Sequence, residues 1–467
     1  MEELDRRLTS VRPSGRQLAL QQMEFYGFAH FTVNTFTGRE WGDGTEDPAV
    51  FDPRELDAGQ WVSALKAAGM RGLILTCKHH DGFCLWPSRY TGHTVAASPF
   101  RGGRGDVVRE AADACRDGGI RFGIYLSPWD RNQPCYGSGR EYDDFFVNQL
   151  TELLTGYGEI FSVWFDGACG EGPNGKRQAY DWERYYETVR KYQPGACINV
   201  CGPDIRWCGN EAGSTRESEW SVVPRRMRDT EKVAADSQQT DSAEFRQRTI
   251  SASDEDLGSR EALREEQDLI WYPAEVDTSI RPGWFYHPEE DGMVKGTEEL
   301  FDIYLRSVGG NATLLLNVPP AKNGLFHPND VARLRELGER ISGAFAKNLV
   351  EGAELSADSA VPGHGIDCAR EDGCGSYFRG SGSSCEITVR FPEETEVSYV
   401  VLKEYIPDSQ RVERFRILDG GGRQLSAGTV VGYKRIVRLP EPVRTDALRI
   451  VIDDSRCYPT LSFLGVY

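Results

Sequence analysis

No stretch of the 467-residue chain approaches the roughly 20 consecutive apolar residues that a membrane-spanning helix needs. Positive charge is also short. With 54 Lys and Arg against 72 Asp and Glu, the net charge is −18, which argues against nucleic acid or an anionic membrane as a partner. The opening Met1-Glu2-Glu3-Leu4-Asp5-Arg6-Arg7 lacks the apolar core of a signal peptide. The twelve cysteines show no compact disulfide framework. Cys77, Cys115, Cys169 and Cys197 fall in or beside apolar patterns, where free thiols act as small hydrophobes. A reduced, cytoplasmic protein is the expectation. Neither Cys197, Cys201 and Cys208 nor Cys368 and Cys374 have the paired short spacings of a zinc site. No Gly-rich phosphate loop follows the first strand pattern, which counts against an open doubly wound sheet. No cofactor is expected. Hydrophobic residues at 39% and aromatics at 11% mark a globular chain, and the acidic balance fits a soluble enzyme with a neutral substrate.

What the chain does contain is an alternation. Phe25-Tyr26-Gly27-Phe28-Ala29-His30-Phe31 reads as a first strand, followed by a polar loop and a helix over 57–68 that Gly69 stops. Arg71-Gly72-Leu73-Ile74-Leu75-Thr76 runs into Lys78-His79-His80-Asp81, and a helix over 106–117 follows. Phe122-Gly123-Ile124-Tyr125-Leu126, Ser162-Val163-Trp164-Phe165 and Cys197-Ile198-Asn199-Val200 repeat the grammar, with helices over 143–154 and 182–191 between them. This predicts an α/β fold, a (β/α)8-like barrel. The strands of 217–278 cannot be placed. A strand over 312–318 and a helix over 330–345 close the barrel, so 1–347 forms one domain. Beyond it, alternating runs such as Ile387-Thr388-Val389-Arg390-Phe391, with Gly-rich turns and no helical periodicity, predict a β-sandwich over 348–467.

Polar residues at strand ends face the mouth of such a barrel. Here they are His30, His79, His80, Tyr125 and Asp166, so three of only seven histidines meet at two strand ends. Asp166, closing the Trp164-Phe165-Asp166-Gly167 stretch, is the first candidate for chemistry; capping the next turn is its bland alternative. A metal on His30, His79, His80 and Asp81 is disfavoured, because neighbours on a strand point to opposite sides. Hydrogen bonding to a polyhydroxylated ligand, with Trp41 and Trp129 as apolar platforms, suits these residues better. Glycoside hydrolysis asks for a second carboxyl. The loop after the fifth strand, Gly202-Pro203-Asp204-Ile205-Arg206-Trp207-Cys208-Gly209-Asn210-Glu211-Ala212-Gly213, offers Asp204 and Glu211, and the residues alone leave that choice open.

His30-Phe31-Thr32-Val33-Asn34-Thr35-Phe36 with Glu40-Trp41-Gly42, Thr76-Cys77-Lys78-His79-His80-Asp81-Gly82-Phe83, Trp164-Phe165-Asp166-Gly167 and Asn311-Ala312-Thr313-Leu314-Leu315-Leu316-Asn317-Val318-Pro319-Pro320 together resemble the α-L-fucosidases of glycoside hydrolase family 29. The resemblance covers the catalytic region in order and implies a retaining mechanism with Asp166 as nucleophile. Gly209-Asn210-Glu211-Ala212-Gly213 is similar to the branch that acts on α-1,3 and α-1,4 linkages, implying Glu211 as general acid/base and Lewis-type fucosylated glycans as substrate. His30, Glu40, Trp41, His79, His80 and Tyr125 match the family's fucose-binding positions, and Arg206 and Trp284 match more loosely. A broad or α-1,2-preferring fucosidase and a catalytically silent fucose lectin are the alternatives.

Overall fold

In the computed structural model, which describes residues 2–237 and 255–467, the alternation becomes a parallel barrel. β1 (Phe25–Ala29), β2 (Gly72–Lys78), β3 (Arg121–Leu126), β4 (Ser162–Phe165), β5 (Cys197–Val200) and β6 (Arg206–Trp207) come first. A detour carries the antiparallel pair β7 (Val222–Pro224) and β8 (Leu269–Trp271), and β9 (Ala274–Ser279) and β10 (Ala312–Asn317) complete the set. The sheet order is β5-β4-β3-β2-β1-β10-β9-β6 with every neighbouring pair parallel. A parallel bridge from Asn199 to Ile205 brings the two edges together. Every position of β2, β9 and β10 is buried, as expected of strands packed on both faces.

Helices Ala58–Ala67, Val107–Gly118, Arg140–Gly156 and Trp182–Tyr192 follow β1 to β4, and Thr297–Ser307 and Pro328–Ala344 follow β9 and β10. Asp57, Asp106 and Asp181 cap three of them, each side chain accepting from a backbone N–H of the first turn. The covered face of Ala58–Ala67 carries Trp61, Val62 and Leu65, all buried.

One sequence expectation is corrected here, and one stretch left unplaced by the sequence is filled in. The 202–213 stretch, read as a loop, contains the barrel's sixth strand; two residues are too few to show a period. No helix separates β5 from β6, and the chain reverses within five residues. Val200 sits at φ 67° at this reversal, a strained setting for a β-branched side chain. In the 217–278 stretch the seventh barrel strand is β9, and residues 238–254 lie outside the described residues.

After Ala344 the chain becomes all β: β11 (Glu354–Ala357), β12 (Phe378–Arg379), β13 (Cys385–Lys403), β14 (Val412–Asp419), β15 (Gln424–Gly428), β16 (Arg435–Ser455), β17 (Thr460–Leu461) and β18 (Phe463–Val466). β13 and β16 are long antiparallel partners whose register shifts midway. One arm of β13 gives Ile387 and Val389 and the other Val400 and Leu402 to a single core, which makes a sandwich. Its outer face docks on the barrel's last two helices, where Tyr399 meets Phe301 and Phe345. A second seam lies just before β1. There the Glu24 carboxylate accepts from Lys403 at 2.8 Å and Lys434 at 2.7 Å. Burial alone would raise its pKa, but the two ammonium groups win and hold it near 2. This seam is at the end of the barrel opposite the mouth. Among the described residues no helix is long and apolar enough to cross a membrane, and the twelve cysteines stand as free thiols.

Candidate active site

The C-terminal ends of the strands surround one cavity, whose wall includes His30, Glu40, Trp41, His79, His80, Asp166, Glu211 and Trp284. Asp166 directly follows β4. Its Oδ2 accepts the Tyr125 hydroxyl at 2.8 Å and its Oδ1 accepts the Ala168 N–H at 2.8 Å. Two donors fix the plane of the carboxylate. Tyr125 is fully buried, stacked between His79 (5.6 Å, 15°) and Trp164 (5.3 Å, 23°). Burial, then the charge of Asp166, raises its pKa far above the phenol range, so it remains a donor.

The histidine tautomers follow from the hydrogen-bond network. Asn317 donates through Nδ2 to Ser279 Oγ (2.9 Å) and Trp284 O (2.8 Å). Its Oδ1 therefore faces His30, accepting from Nδ1–H at 2.8 Å, and the Nε2 lone pair of His30 is left for a ligand. Ser127 Oγ donates to Trp129 O at 2.6 Å, so it accepts from His80 Nδ1 at 2.7 Å. The bare Nε2 of His80 lies 3.8 Å from Asp166 Oδ2. His79 Nδ1 is buried without a hydrogen-bond partner among the described residues. Burial is the main cause that lowers His30 and His80 to about 4 and His79 well below its usual value. All three rings are neutral acceptors at neutral pH.

The expectation that His79 and His80 would point apart is corrected. Their rings lie 4.1 Å apart and both line the cavity. β2 ends at Lys78, so strand alternation no longer applies to them. Asp81 is turned away, accepting from Thr32 Oγ1 (3.0 Å) and Phe83 N (2.7 Å). The one group of described residues able to hold a metal is thus His79, His80 and Asp166, with ligating atoms within 4.8 Å of one another. These are also the atoms that face a sugar.

Glu40 and Trp41 reach the wall from the loop after β1. Gly42 presses that loop onto the end of β2: a Cβ there would lie 2.5 Å from Asn34 Oδ1 and 2.8 Å from Asp81 Cβ. Glu40 accepts from Trp284 N (2.8 Å), Phe285 N (3.3 Å) and His287 Nε2 (2.5 Å), and its bond is the first cause that raises the His287 pKa. Trp41 meets His80 edge-on at 5.4 Å. Trp129 packs behind both, 5.0 Å from His80 and 5.5 Å from Trp41. Glu211 Oε2 accepts Trp284 Nε1–H at 3.3 Å.

Arg206 and Asp204 are placed elsewhere. Arg206 is buried outside the cavity, paired with Glu219 and donating to Tyr272 O and Trp220 O. Strand alternation explains this: on β6 it is Trp207 that faces inward, and Arg206 faces out. Asp204 is buried between Arg16 and Arg190. Sequence reasoning missed two inward acids of β9. Glu275 accepts from Tyr26 Oη, Trp164 Nε1 (2.7 Å) and Asn199 Nδ2 (2.8 Å), and burial drives it up to about 7. Asp277 lines the cavity and accepts from Trp207 Nε1 at 2.8 Å; burial, then Glu275, raises its pKa. Their signal was acids two residues apart in Ala274-Glu275-Val276-Asp277-Thr278-Ser279.

Carboxyls set among imidazoles and aromatic rings, at the C-terminal mouth of a parallel barrel, define a glycoside hydrolase site. The family model for α-L-fucosidase matches residues 16–343. "Alpha-L-fucosidase 1" of Arabidopsis thaliana is 39% identical over 97% of this chain and 87% of its own. A Ruminococcus gnavus family 29 fucosidase solved with fucose superposes with a TM-score of 0.84 at 30% identity, covering 98% of this chain and 95% of that one. A family 29 member from an unknown rumen bacterium gives 0.79 at 38% identity over 98% and 77%. The chain belongs to the α-L-fucosidase family, glycoside hydrolase family 29, and is an α-L-fucosidase in activity.

Proposed function

We propose that this is a retaining exo-α-L-fucosidase acting on α-1,3- and α-1,4-linked fucose of Lewis-type branched glycans. The observation that carries the reading is one cavity holding a doubly anchored Asp166 and, on its wall, Glu211. Asp166 attacks the anomeric carbon and the glycosidic C–O bond breaks as Glu211 gives its proton to the leaving oxygen. Glu211 then takes a proton from water, which attacks the fucosyl–Asp166 ester and frees the carboxylate. His30 and His80, as neutral acceptors, take hydrogen bonds from fucose hydroxyls, and the Glu40 carboxylate and the face of Trp41 hold the rest of the ring.

The linkage reading rests on the Gly209–Gly213 loop. Its turn is held by Asn210, which donates to Ser214 O (3.0 Å) and accepts from Ala212 N (2.9 Å), and Glu211 stands within that turn. The test is fucose release from Lewis a or Lewis x trisaccharide against 2′-fucosyllactose, by wild type and Glu211→Ala, with the first product anomer read by NMR. Preference for the Lewis sugar, release of α-fucose first and loss in Glu211→Ala support the proposal. Faster cleavage of 2′-fucosyllactose would move the specificity to the α-1,2 or broad class, and β-fucose first would overturn the retaining mechanism.

A further inference from the structure

One buried cation takes no part in the mechanism above. Lys78 opens the Lys78-His79-His80-Asp81 stretch, and its side chain is fully buried. On β2, Ile74 packs in the barrel interior with Phe28 and Tyr125, so plain alternation would send Thr76 and Lys78 inward as well. The ladder to β3 slips between Thr76 and Lys78, which sets Thr76 beside Tyr125 and Lys78 beside Leu126. Leu126 belongs to the core shared with the surrounding helices. The extra residue thus turns Lys78 outward just before the two histidines that line the cavity, the use to which bulges beside active sites are put. There the ammonium lies 5.4 and 5.6 Å from the rings of Phe145 and Phe146 on helix Arg140–Gly156. It donates to Gln149 Oε1 at 3.0 Å and to Asp130 Oδ2 at 2.9 Å, and Asp130 is buried too.

A buried ion pair adds little net stability, because desolvating both charges offsets their attraction. What it supplies is direction. Asp130 stands in the loop after β3, where its Oδ1 accepts from Asn132 N (3.0 Å) and Gln133 N (2.9 Å), so Lys78 holds the turn of that loop as a unit. The same loop grips His80 at two points: Arg131 N donates to His80 O at 2.9 Å, and Ser127 Oγ accepts from His80 Nδ1 at 2.7 Å. Gly82 lets the loops after β2 and β3 touch, since a Cβ there would lie 2.5 Å from Asp130 Oδ1. We propose that the Lys78–Asp130 pair is a positioning element for the reaction. It holds the loop after β3 against the loop after β2, so that Ser127 fixes His80 with its bare Nε2 toward the sugar. Neither Lys78 nor Asp130 touches substrate. The inference rests on His80 acting as an acceptor toward fucose.

The test removes both charges together, since removing one would strand the other in the interior. Lys78→Met combined with Asp130→Asn keeps an oxygen for the two backbone donors of the turn. In the expected result the urea midpoint stays near that of wild type while kcat/KM on p-nitrophenyl α-L-fucoside falls about ten- to hundred-fold. Nitrogen NMR of the His80 ring then shows a proton no longer confined to Nδ1. Added to His80→Ala, the double substitution costs less than about two-fold more, because its effect runs through His80. A folded double variant with wild-type kinetics or the wild-type His80 tautomer, or a loss that multiplies in full onto that of His80→Ala, overturns the inference and leaves the pair a structural one. Wild-type kcat and KM in His80→Ala would instead refute the acceptor reading, while the ring nitrogen shifts still decide whether the pair positions His80. If the double variant does not fold, Asp130→Glu keeps both charges, displaces the loop by one methylene and gives the same two readouts. No change in either would overturn the proposal.

Discussion

Tyr125→Phe is the sharpest probe of how the site holds its nucleophile. The substitution removes one oxygen from a ring that is fully buried and stacked on both faces, so the packing of the barrel interior is kept. What is lost is the 2.8 Å hydrogen bond to Asp166 Oδ2, while the Ala168 N–H still holds Oδ1. A hydrogen bond to an ionised group is worth about 1.5–3 kcal/mol. At 1.36 kcal/mol per decade, full expression in the transition state lowers kcat about 10- to 150-fold. The assay is steady-state hydrolysis of p-nitrophenyl α-L-fucoside, with Asp166→Asn as the floor and urea denaturation as the check on folding. A loss under about two-fold, or one as deep as that of Asp166→Asn, refutes the reasoning: the first says that the bond does not orient the carboxylate, the second that nothing else does.

Arg206→Met tests the correction to the sequence reading. It leaves Glu219 buried with Arg216 as its remaining partner; full unpairing of a buried charge costs about 3–5 kcal/mol, so the loss stays below that ceiling, and the denaturation midpoint falls while KM of the folded enzyme holds; a raised KM at unchanged stability would put Arg206 on the substrate. Glu275→Gln bears on pH dependence. The folded carboxyl titrates near 7 against a reference of 4.5, so the folded state keeps a proton that the unfolded chain has released, and wild-type stability falls by roughly 3 kcal/mol from this group as pH rises through that window. The variant flattens that slope, and denaturation curves at pH 5 and 8 with an unchanged slope would contradict the assignment. Ser127→Ala frees His80 to place its proton on Nε2, 3.8 Å from Asp166; kcat drops on the order of ten-fold, and full activity would refute the tautomer. Dialysis against EDTA leaves turnover intact, whereas loss restored by zinc would assign a metal to His79, His80 and Asp166.

The barrel was legible because its strands are buried on both faces and its helices on one, so period and run length carry the fold. The site was legible where chemistry sits at the end of a strand that shows as an apolar run: His30 after β1, His79 and His80 after β2, and Asp166 after β4. It was illegible where a strand is too short to declare itself. With β6 reduced to Arg206 and Trp207, nothing in the sequence says which of the two faces inward, and the resemblance pointed to the arginine while the tryptophan lines the cavity. Glu275 and Asp277 were hidden for another reason. Acids at alternate positions look like the solvated face of an edge strand, and only closure of the barrel turns that face inward.

Closure also explains the charge state of the site. Burial acts on ionisable groups without regard to sign: it lowers His30, His79 and His80 and raises Glu275 and Asp277. Near neutral pH the imidazoles carry no charge, and the inward acids are pushed toward their neutral forms. A protonated His80 at 3.8 Å would pair with Asp166 and tie up the oxygen lone pair that attacks the anomeric carbon. Keeping that imidazole neutral leaves the nucleophile answerable to two fixed donors, Tyr125 and Ala168, and otherwise to the positive charge that develops on the sugar. The histidine cluster, for which the sequence disfavours a metal and favours hydrogen bonding to a sugar, works in the proposed mechanism because it is uncharged, and it is uncharged because the barrel buries it.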